Sequence, residues 1–346
     1  MPLTRNSYKK YPDQVFLKLT NRCNLACEIC GQARNRKNNP IAFANEDLNF
    51  NRTKVFLEQI PTLYSYVFLW GGEPLLHPDL LKFIDYFSST SKHTEINTNG
   101  MLLYEKAPYL VKHKVNRIII SLDGPAEVHD AIRNKPGCYE KVIAGVDRLA
   151  SLKTRRHKEP LIQINCVISE MNQSCLLSFI KTINKLPVST IVLQFPCFVT
   201  ASFCCRYEEM LKRYYGMREA STARGFLRNY PVDINLIAKQ IKQITALYGN
   251  KVLIYQRFLR TEGDFKTYFH LYRKLFGQRI CHFIFNGLSI EPNGNIVGCP
   301  DFHDIILGNI RQGFNRIWNN KKYVLFRRLF CKHGNFPICN RCCHFL

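Results

Sequence analysis

Cys23, Cys27 and Cys30 fall within eight residues, directly after the apolar run from Val15 to Thr20, and no fourth cysteine lies nearby. Thiolates bind zinc and iron–sulfur clusters. A structural zinc takes four protein ligands and is closed, so three thiols leave it incomplete. A cubane cluster held by three cysteines keeps one iron open to a further ligand. A second set of thiols stands far along the chain: Cys281, Cys299, and Cys339 with Cys342 in a Cys-x2-Cys turn. The tract Ile290–Ile296 reads as a β-hairpin turning at Asn293-Gly294, which could bring Cys281 and Cys299 together. Two converging pairs suit zinc or iron–sulfur on spacing alone.

Other chemistry-bearing residues recur at the ends of apolar runs. Trp70 is followed by Gly71, Gly72, Glu73 and Pro74. Paired glycines let a ligand approach the backbone, whose amides and carbonyls can bind a zwitterion; alone, the tetrapeptide is more often a plain turn. Thr98 and Asn99, then Ser121 and Asp123, place short polar groups where a sugar hydroxyl would find partners. Asn-Gly and Asp-Gly are also ordinary turn dipeptides. Asn165 and Gln194 are polar residues on later runs, and His77 and His303 receive no role.

The elements that must position these groups alternate along the first 200 residues. Strands are expected at Val15–Thr20, Ser65–Trp70, Thr94–Thr98, Arg117–Leu122, Leu161–Ile168 and Thr190–Phe195. Helices are expected near 51–60, 79–89, 104–113, 139–152 and 173–185, the fourth carrying Val142, Val146, Leu149 and Ala150 on one side. Six such units predict an α/β fold, a partial (β/α)6 barrel or an open parallel sheet, with chemistry at the carboxyl ends of the strands. Residues 201–280 break the rhythm, with a helix near 233–247 and a strand near 251–256, and carry no readable motif. From Cys281 the composition turns to Cys, Gly and Asn. The expected division is therefore 1–200, 201–280 and 281–346.

The Cys-x3-Cys-x2-Cys spacing of Cys23, Cys27 and Cys30 resembles the signature of the radical S-adenosylmethionine (SAM) superfamily, and the flanking Leu19-Thr20-Asn21-Arg22-Cys23-Asn24-Leu25 strengthens the match. Ile29 departs from it, since that position is often aromatic in the family. The resemblance implies a 4Fe–4S cluster on Cys23, Cys27 and Cys30 whose open iron chelates SAM. Reductive cleavage then yields a 5′-deoxyadenosyl radical that abstracts a substrate hydrogen. It implies that Gly71, Gly72, Glu73 and Pro74 bind the methionyl amino group. Thr98, Asn99, Ser121 and Asp123 would contact SAM, and Arg133 would meet its carboxylate. The C-terminus, with Gly308-Asn309-Ile310 and Ile317-Trp318-Asn319, resembles the SPASM/twitch extension of that family. The chain stops four residues after Cys342, so a single auxiliary 4Fe–4S cluster on Cys281, Cys299, Cys339 and Cys342 is expected, with Cys331 and Cys343 as spare ligands. Asp301, beside that cluster, is a candidate proton acceptor. A reductant such as flavodoxin or ferredoxin is the implied partner, and the substrate is a peptide or a small hydroxylated molecule.

Bulk properties bound the rest. At 346 residues and 46% hydrophobic content the chain can bury a sizeable core. Its apolar runs, such as Arg117–Leu122, are too short to span a membrane, and its first ten residues lack a signal-peptide stretch. Fifteen cysteines in such a chain point to metal ligation in the cytoplasm rather than to disulfides. A net charge of +23 favours an anionic partner, and residues 201–280 hold 15 Lys/Arg against 6 Asp/Glu. Two alternatives remain open on this reading: an RNA-modifying enzyme of the same superfamily, and a non-catalytic zinc-binding interaction protein.

Overall fold

The computed structural model describes residues 9–40, 44–60, 64–153, 159–256, 258–259, 261–272 and 281–342. The first half is built of strand–helix units. β1 (Gln14–Lys18) is followed by α1 (Gly31–Asn38) and α2 (Phe50–Leu57), and β2 (Tyr66–Trp70) by α3 (Leu80–Ser89). Then come β3 (His93–Thr98), α4 (Leu103–Lys112), β4 (Arg117–Ser121), α5 (Ala126–Arg133) and α6 (Cys138–Ser151). β5 (Leu161–Val167), α7 (Leu176–Ile183) and β6 (Thr190–Gln194) complete the six units. The helices are amphipathic: α3 buries Leu80, Phe83, Ile84 and Phe87, and α7 buries Leu176, Phe179, Ile180 and Ile183. Both sets follow the i, i+3, i+4, i+7 spacing of one helix face. On β5 the alternation is equally clear. Ile162, Ile164 and Cys166 are fully buried, whereas Gln163, Asn165 and Val167 stay partly accessible on the inner face.

All neighbours from β1 to β6 pair in parallel, the partial barrel expected. The segment that sequence left unread continues the same sheet. After α8 (Ala201–Tyr215) and α9 (Ile234–Tyr248), β7 (Val252–Ile254) pairs in parallel with β6, and α10 (Glu262–His270) follows. The C-terminal segment attaches at the opposite edge. Beyond α11 (Phe283–Asn286), β8 (Gly287–Ile290) pairs in parallel with β1, Gln14 opposite Gly287 and Leu17 opposite Ile290. The expected hairpin turns at Asn293-Gly294 into β9 (Asn295–Val297), and β10 (Ile306–Asn309) adds a further antiparallel strand. α12 (Phe314–Ile317) and α13 (Lys321–His333) close the chain. The ten strands form one sheet, ordered β10-β9-β8-β1-β2-β3-β4-β5-β6-β7. Among the described residues no helix is long and apolar enough to cross a membrane.

Candidate active site: two thiol sites joined by a buried polar network

The first cysteine loop is fastened by the strand ends beside it. Leu19 N–H donates to Trp70 O at 2.7 Å, Gly72 N–H to Thr20 O at 2.8 Å, and Glu73 N–H to Arg22 O at 2.8 Å. This close approach is what requires the glycines. A Cβ on Gly72 would stand 2.1 Å from Arg22 O, and one on Gly71 2.6 Å from Thr20 O. Arg22 forms a fork with Asp47 at 3.1 and 2.7 Å and also donates to Leu76 O. The residue preceding Cys23 is thereby fixed. Cys30 caps α1, its Sγ accepting from Ala33 N–H at 3.4 Å, so this sulfur lies at the positive end of a helix.

Two residues expected to meet SAM also reach the sulfurs. Asn99 Nδ2 lies 3.9 Å from Cys23 Sγ and 2.8 Å from Asn24 Oδ1. Arg133 Nη1 lies 3.7 Å from Cys27 Sγ. Burial pushes the Cys23 thiol up to about 11. It also raises Cys27, against which the Arg133 charge acts. Donors aimed at ligand sulfurs tune a cluster's potential.

The other expected side chains lie at or beside the strand ends. Glu73 is fully buried and accepts from Thr98 Oγ1 at 2.7 Å, Asn99 N–H at 2.7 Å and Leu75 N–H at 3.0 Å. Pro74 opens the 3₁₀ turn that Glu73 caps. Asp123, also fully buried, accepts from Val167 N–H at 2.9 Å and pairs with Arg133 at 2.5 Å. Ser121 is half-buried opposite Asn165 on the inner face. Asn165 in turn accepts from Gln163 at 2.7 Å and donates to Gln194 at 3.5 Å, a short ladder of amides.

Burial pushes Glu73 up to about 7, although Asn99, Thr98 and Leu75 act against it. A carboxyl raised by folding binds a proton more tightly in the folded chain than in the unfolded one. Stability therefore falls as pH rises from about 4.5 to about 7, and is level beyond. Glu73→Gln should flatten that slope. It also sets an amide N–H₂ against donor groups, costing about 1–3 kcal/mol. Urea unfolding across this window checks both, and an unchanged slope would show that Glu73 is not the group responsible.

The second thiol site is a single apolar cavity lined by Cys281, Cys299, Cys339 and Cys342 together with Tyr207, Phe302 and Phe336. The β8–β9 hairpin delivers Cys299, and the 3₁₀ turn Pro337–Arg341 delivers Cys339. Cys342 N–H donates back to Cys339 O at 3.2 Å, the tight turn expected. Burial pushes Cys281 up to about 12, and it raises Cys299 and Cys339 as well. Repulsion from one another and from Asp301 adds to this. Four crowded, desolvated thiols become thiolates when a cationic centre offsets their charge, and this donor set fits an iron–sulfur cluster. Among the described residues no three of His, Cys, Asp and Glu are placed to share a single metal ion. Cys331, on α13, is half-buried outside the cavity lining, and Cys343 lies outside the described residues.

Between the two sites runs a network that sequence reading missed. Lys18, 2% exposed, meets Glu291 at 3.2 Å, Gln32 at 3.3 Å, His303 at 3.4 Å and the Trp70 ring at 5.6 Å. Glu291 also pairs with His303 at 3.1 Å, and Gln32 Nε2 reaches Asp301 O at 3.5 Å. A lysine inside an otherwise apolar strand was the available signal, because a buried charge must be paired. Thr222, from the unread segment, is a second bridge. It accepts from Asn35 of α1 at 2.8 Å and donates twice to Asp304, at 2.8 and 2.6 Å.

A parallel partial barrel with three thiols after its first strand, and four more around a second cavity, has the donor sets of an iron–sulfur protein. The Radical SAM superfamily is matched over residues 17–169, and an iron–sulfur cluster-binding domain, SPASM, over residues 281–343. The chain belongs to the radical SAM superfamily and carries a C-terminal SPASM domain, with SAM, a 4Fe–4S cluster and auxiliary iron–sulfur as cofactors. It is 26% identical over 331 residues to the AdoMet-dependent heme synthase of Methanosarcina barkeri, covering 92% of this chain and 84% of that protein. To the mycofactocin maturase MftC of Mycobacterium tuberculosis it is 27% identical over 340 residues, covering 95% and 75%. The match to the heme synthase of Oleidesulfovibrio alaskensis covers 60% of this chain and 54% of that protein. The fold is similar to SuiB of Streptococcus suis bound to precursor peptide SuiA, with TM-score 0.65 and 12% identity over 98% of this chain and 72% of that one.

Proposed function

We propose that this chain is a radical SAM oxidoreductase that takes a hydrogen atom from a peptide and passes the remaining electron to its C-terminal cluster. Cys23, Cys27 and Cys30 would hold the SAM-binding cluster, and Cys281, Cys299, Cys339 and Cys342 the auxiliary one. With SAM bound, the first cluster supplies the 5′-deoxyadenosyl radical. The chain's own residues frame that chemistry. Gly71, Gly72, Glu73 and Pro74 shape the floor beside the first loop. Thr98 and Asp123 hold strand ends, while Asn99 and Arg133 orient the ligand sulfurs. Ser121 faces the ligand side. Asp301 stands beside the second thiol set and would take the proton released on oxidation. The amides of Gln163, Asn165 and Gln194 offer donors and acceptors suited to a peptide backbone, which carries the substrate reading together with the likeness to a mycofactocin maturase.

A second reading, an anionic small molecule, is favoured by the net charge of +23 and by the likeness to heme synthases. We also propose a reducing compartment, the cytoplasm, since every described cysteine is a free thiol. The expected division of the chain at about residues 200 and 280 stands with this proposal. Its test is anaerobic reconstitution with SAM and deuterated candidate peptides. Cys27→Ala should lose about four irons and all 5′-deoxyadenosine formation. Cys339→Ala should lose the auxiliary irons yet still cleave SAM, with substrate oxidation down at least about 100-fold. Asp301→Asn should slow oxidation while leaving deuterium transfer into 5′-deoxyadenosine intact. Tightly bound zinc without SAM cleavage would sink the proposal, and deuterium transfer from RNA alone would replace the substrate.

A further inference from the structure

A cavity of about 190 Å³ lies beside the β8–β9 hairpin, between the first cysteine loop and the start of β10. Asn21, Glu291, His303 and Asp304 line it, and the described lining residues include no Lys or Arg. Two of its oxygens are orphaned acceptors. Glu291 turns Oε2 to Lys18 and His303, at 3.2 and 3.1 Å, which leaves Oε1 without a partner. Asn21 donates from Nδ2 to Ala44 O at 3.1 Å, which leaves Oδ1 without one. The two residues are 6% and 5% exposed, so bulk solvent does not satisfy either oxygen. Asp304 accepts from the N–H and the hydroxyl of Thr222, at 2.8 and 2.6 Å, both neutral donors. Burial raises the Asp304 carboxyl, a cost that a neighbouring cation would offset. Lys18 already balances Glu291, and the lining offers Asp304 no Lys or Arg.

We propose that this cavity receives a primary ammonium group of the substrate, the side chain of a lysine where that substrate is a peptide. The peptide source rests on the reading under Proposed function; the ammonium chemistry rests on the lining alone. A hydroxyl or a carboxamide would satisfy an orphaned oxygen but leave the buried carboxylate without a counter-charge. An ammonium brings three N–H donors and a unit charge to the same small space. The net charge of +23 does not oppose this, because charges beyond about 8 Å are largely screened at physiological ionic strength and the lining itself is acidic. Asn21 stands two residues before Cys23, so a lysine seated here ties the substrate to the first cysteine loop. Binding uses hydrogen bonds and charge, and no covalent bond forms or breaks.

The test is calorimetric titration of the reconstituted holoenzyme, with SAM present, by a capped pentapeptide with a central lysine. The same peptide acetylated at the lysine nitrogen and n-butylamine are the comparison probes. The lysine peptide should bind at least about tenfold more tightly than its acetylated form, since acetylation removes the charge. Asp304→Asn should erase most of that difference. Ile306→Lys should do the same from a lining residue that is 45% exposed, where a new side chain does not disturb the core. Leu247→Lys on α9, at a residue 65% exposed and away from the cavity, should leave the difference intact. Tighter binding of the lysine peptide than of butylamine assigns the ammonium to a peptide, and the reverse order assigns it to a small amine. Equal affinity of the free and acetylated peptides for the wild-type enzyme would overturn the proposal. So would tighter binding of potassium than of either amine, which would give the cavity to a metal ion. Deuterium transfer into 5′-deoxyadenosine reports separately on the proposed reaction. A lysine peptide that binds but gives up no hydrogen breaks that reading and leaves this one standing.

Discussion

Glu291→Gln is expected to destabilise the fold by about 3–5 kcal/mol, because it leaves the charge of Lys18 buried without its carboxylate. Lys18 is 2% exposed and Glu291 6% exposed, so water cannot take over the pairing. Burial lowers Lys18, and Glu291 acts against that fall. Burial would likewise raise Glu291, but His303 and Lys18 outweigh it and hold the carboxyl below its ordinary value. A carboxylate depressed by folding contributes stability that is present above the ordinary carboxylate pKa and lost as pH falls through the folded one. The acid limb of the stability curve should therefore shrink in Glu291→Gln. Pairing Lys18→Met with Glu291→Leu removes both charges and should recover most of the loss, as apolar replacement of buried pairs does elsewhere. Urea midpoints for the single and double variants decide the matter. A single variant that unfolds at the wild-type midpoint would mean that the pair does not hold β8 to β1.

Arg133→Leu should act on both stability and iron. Asp123 is fully buried and pairs with Arg133 at 2.5 Å, so the variant strands a carboxylate and is expected to lose about 3–5 kcal/mol. Burial disfavours the Arg133 charge, but Asp123 and Cys27 outweigh it and hold the guanidinium above its usual value. Its loss removes the cation that opposes the rise of the Cys27 thiol. Cluster assembly should slow accordingly. If the charged contact to the sulfur is worth about 1.4 kcal/mol, the potential of the first cluster should fall by about 60 mV. Arg133→Lys should restore charge without the fork geometry, giving an intermediate potential. Voltammetry of the reconstituted variants reads the shift. Wild-type potential and folding midpoint in Arg133→Leu would remove Arg133 from both roles.

The thiol loops were legible because their residues are rare and their spacing is local. Cys23, Cys27 and Cys30 sit in one loop, and Cys339 with Cys342 in one turn. The strands were legible because β-branched runs such as Arg117–Ser121 have few other readings. What escaped was contact across distance. No local pattern says that Asn99 and Arg133 meet sulfurs, or that Glu73 turns its carboxylate onto Thr98 and Asn99. Residues 201–280 looked featureless because their ordinary amphipathic helices serve tertiary roles. Tyr207 walls the cysteine cavity, and Thr222 spans α1 and Asp304. His303 shows the same limit, being an unremarkable histidine until Lys18 and Glu291 are folded against it.

The pairing of β1 with β8 also governs the order in which the chain can be made. Gln14 bonds Asn286 across 272 residues, so one side of β1 stays open until nearly all of the chain has left the ribosome. At 5–20 residues per second that interval is roughly 15–55 s. An apolar strand with a bare edge invites pairing with other nascent chains. A lysine in that strand is the guard such edges use, since its charge opposes stacking against a like copy. Lys18 gains its buried partner only when Glu291 arrives with the strand that covers β1.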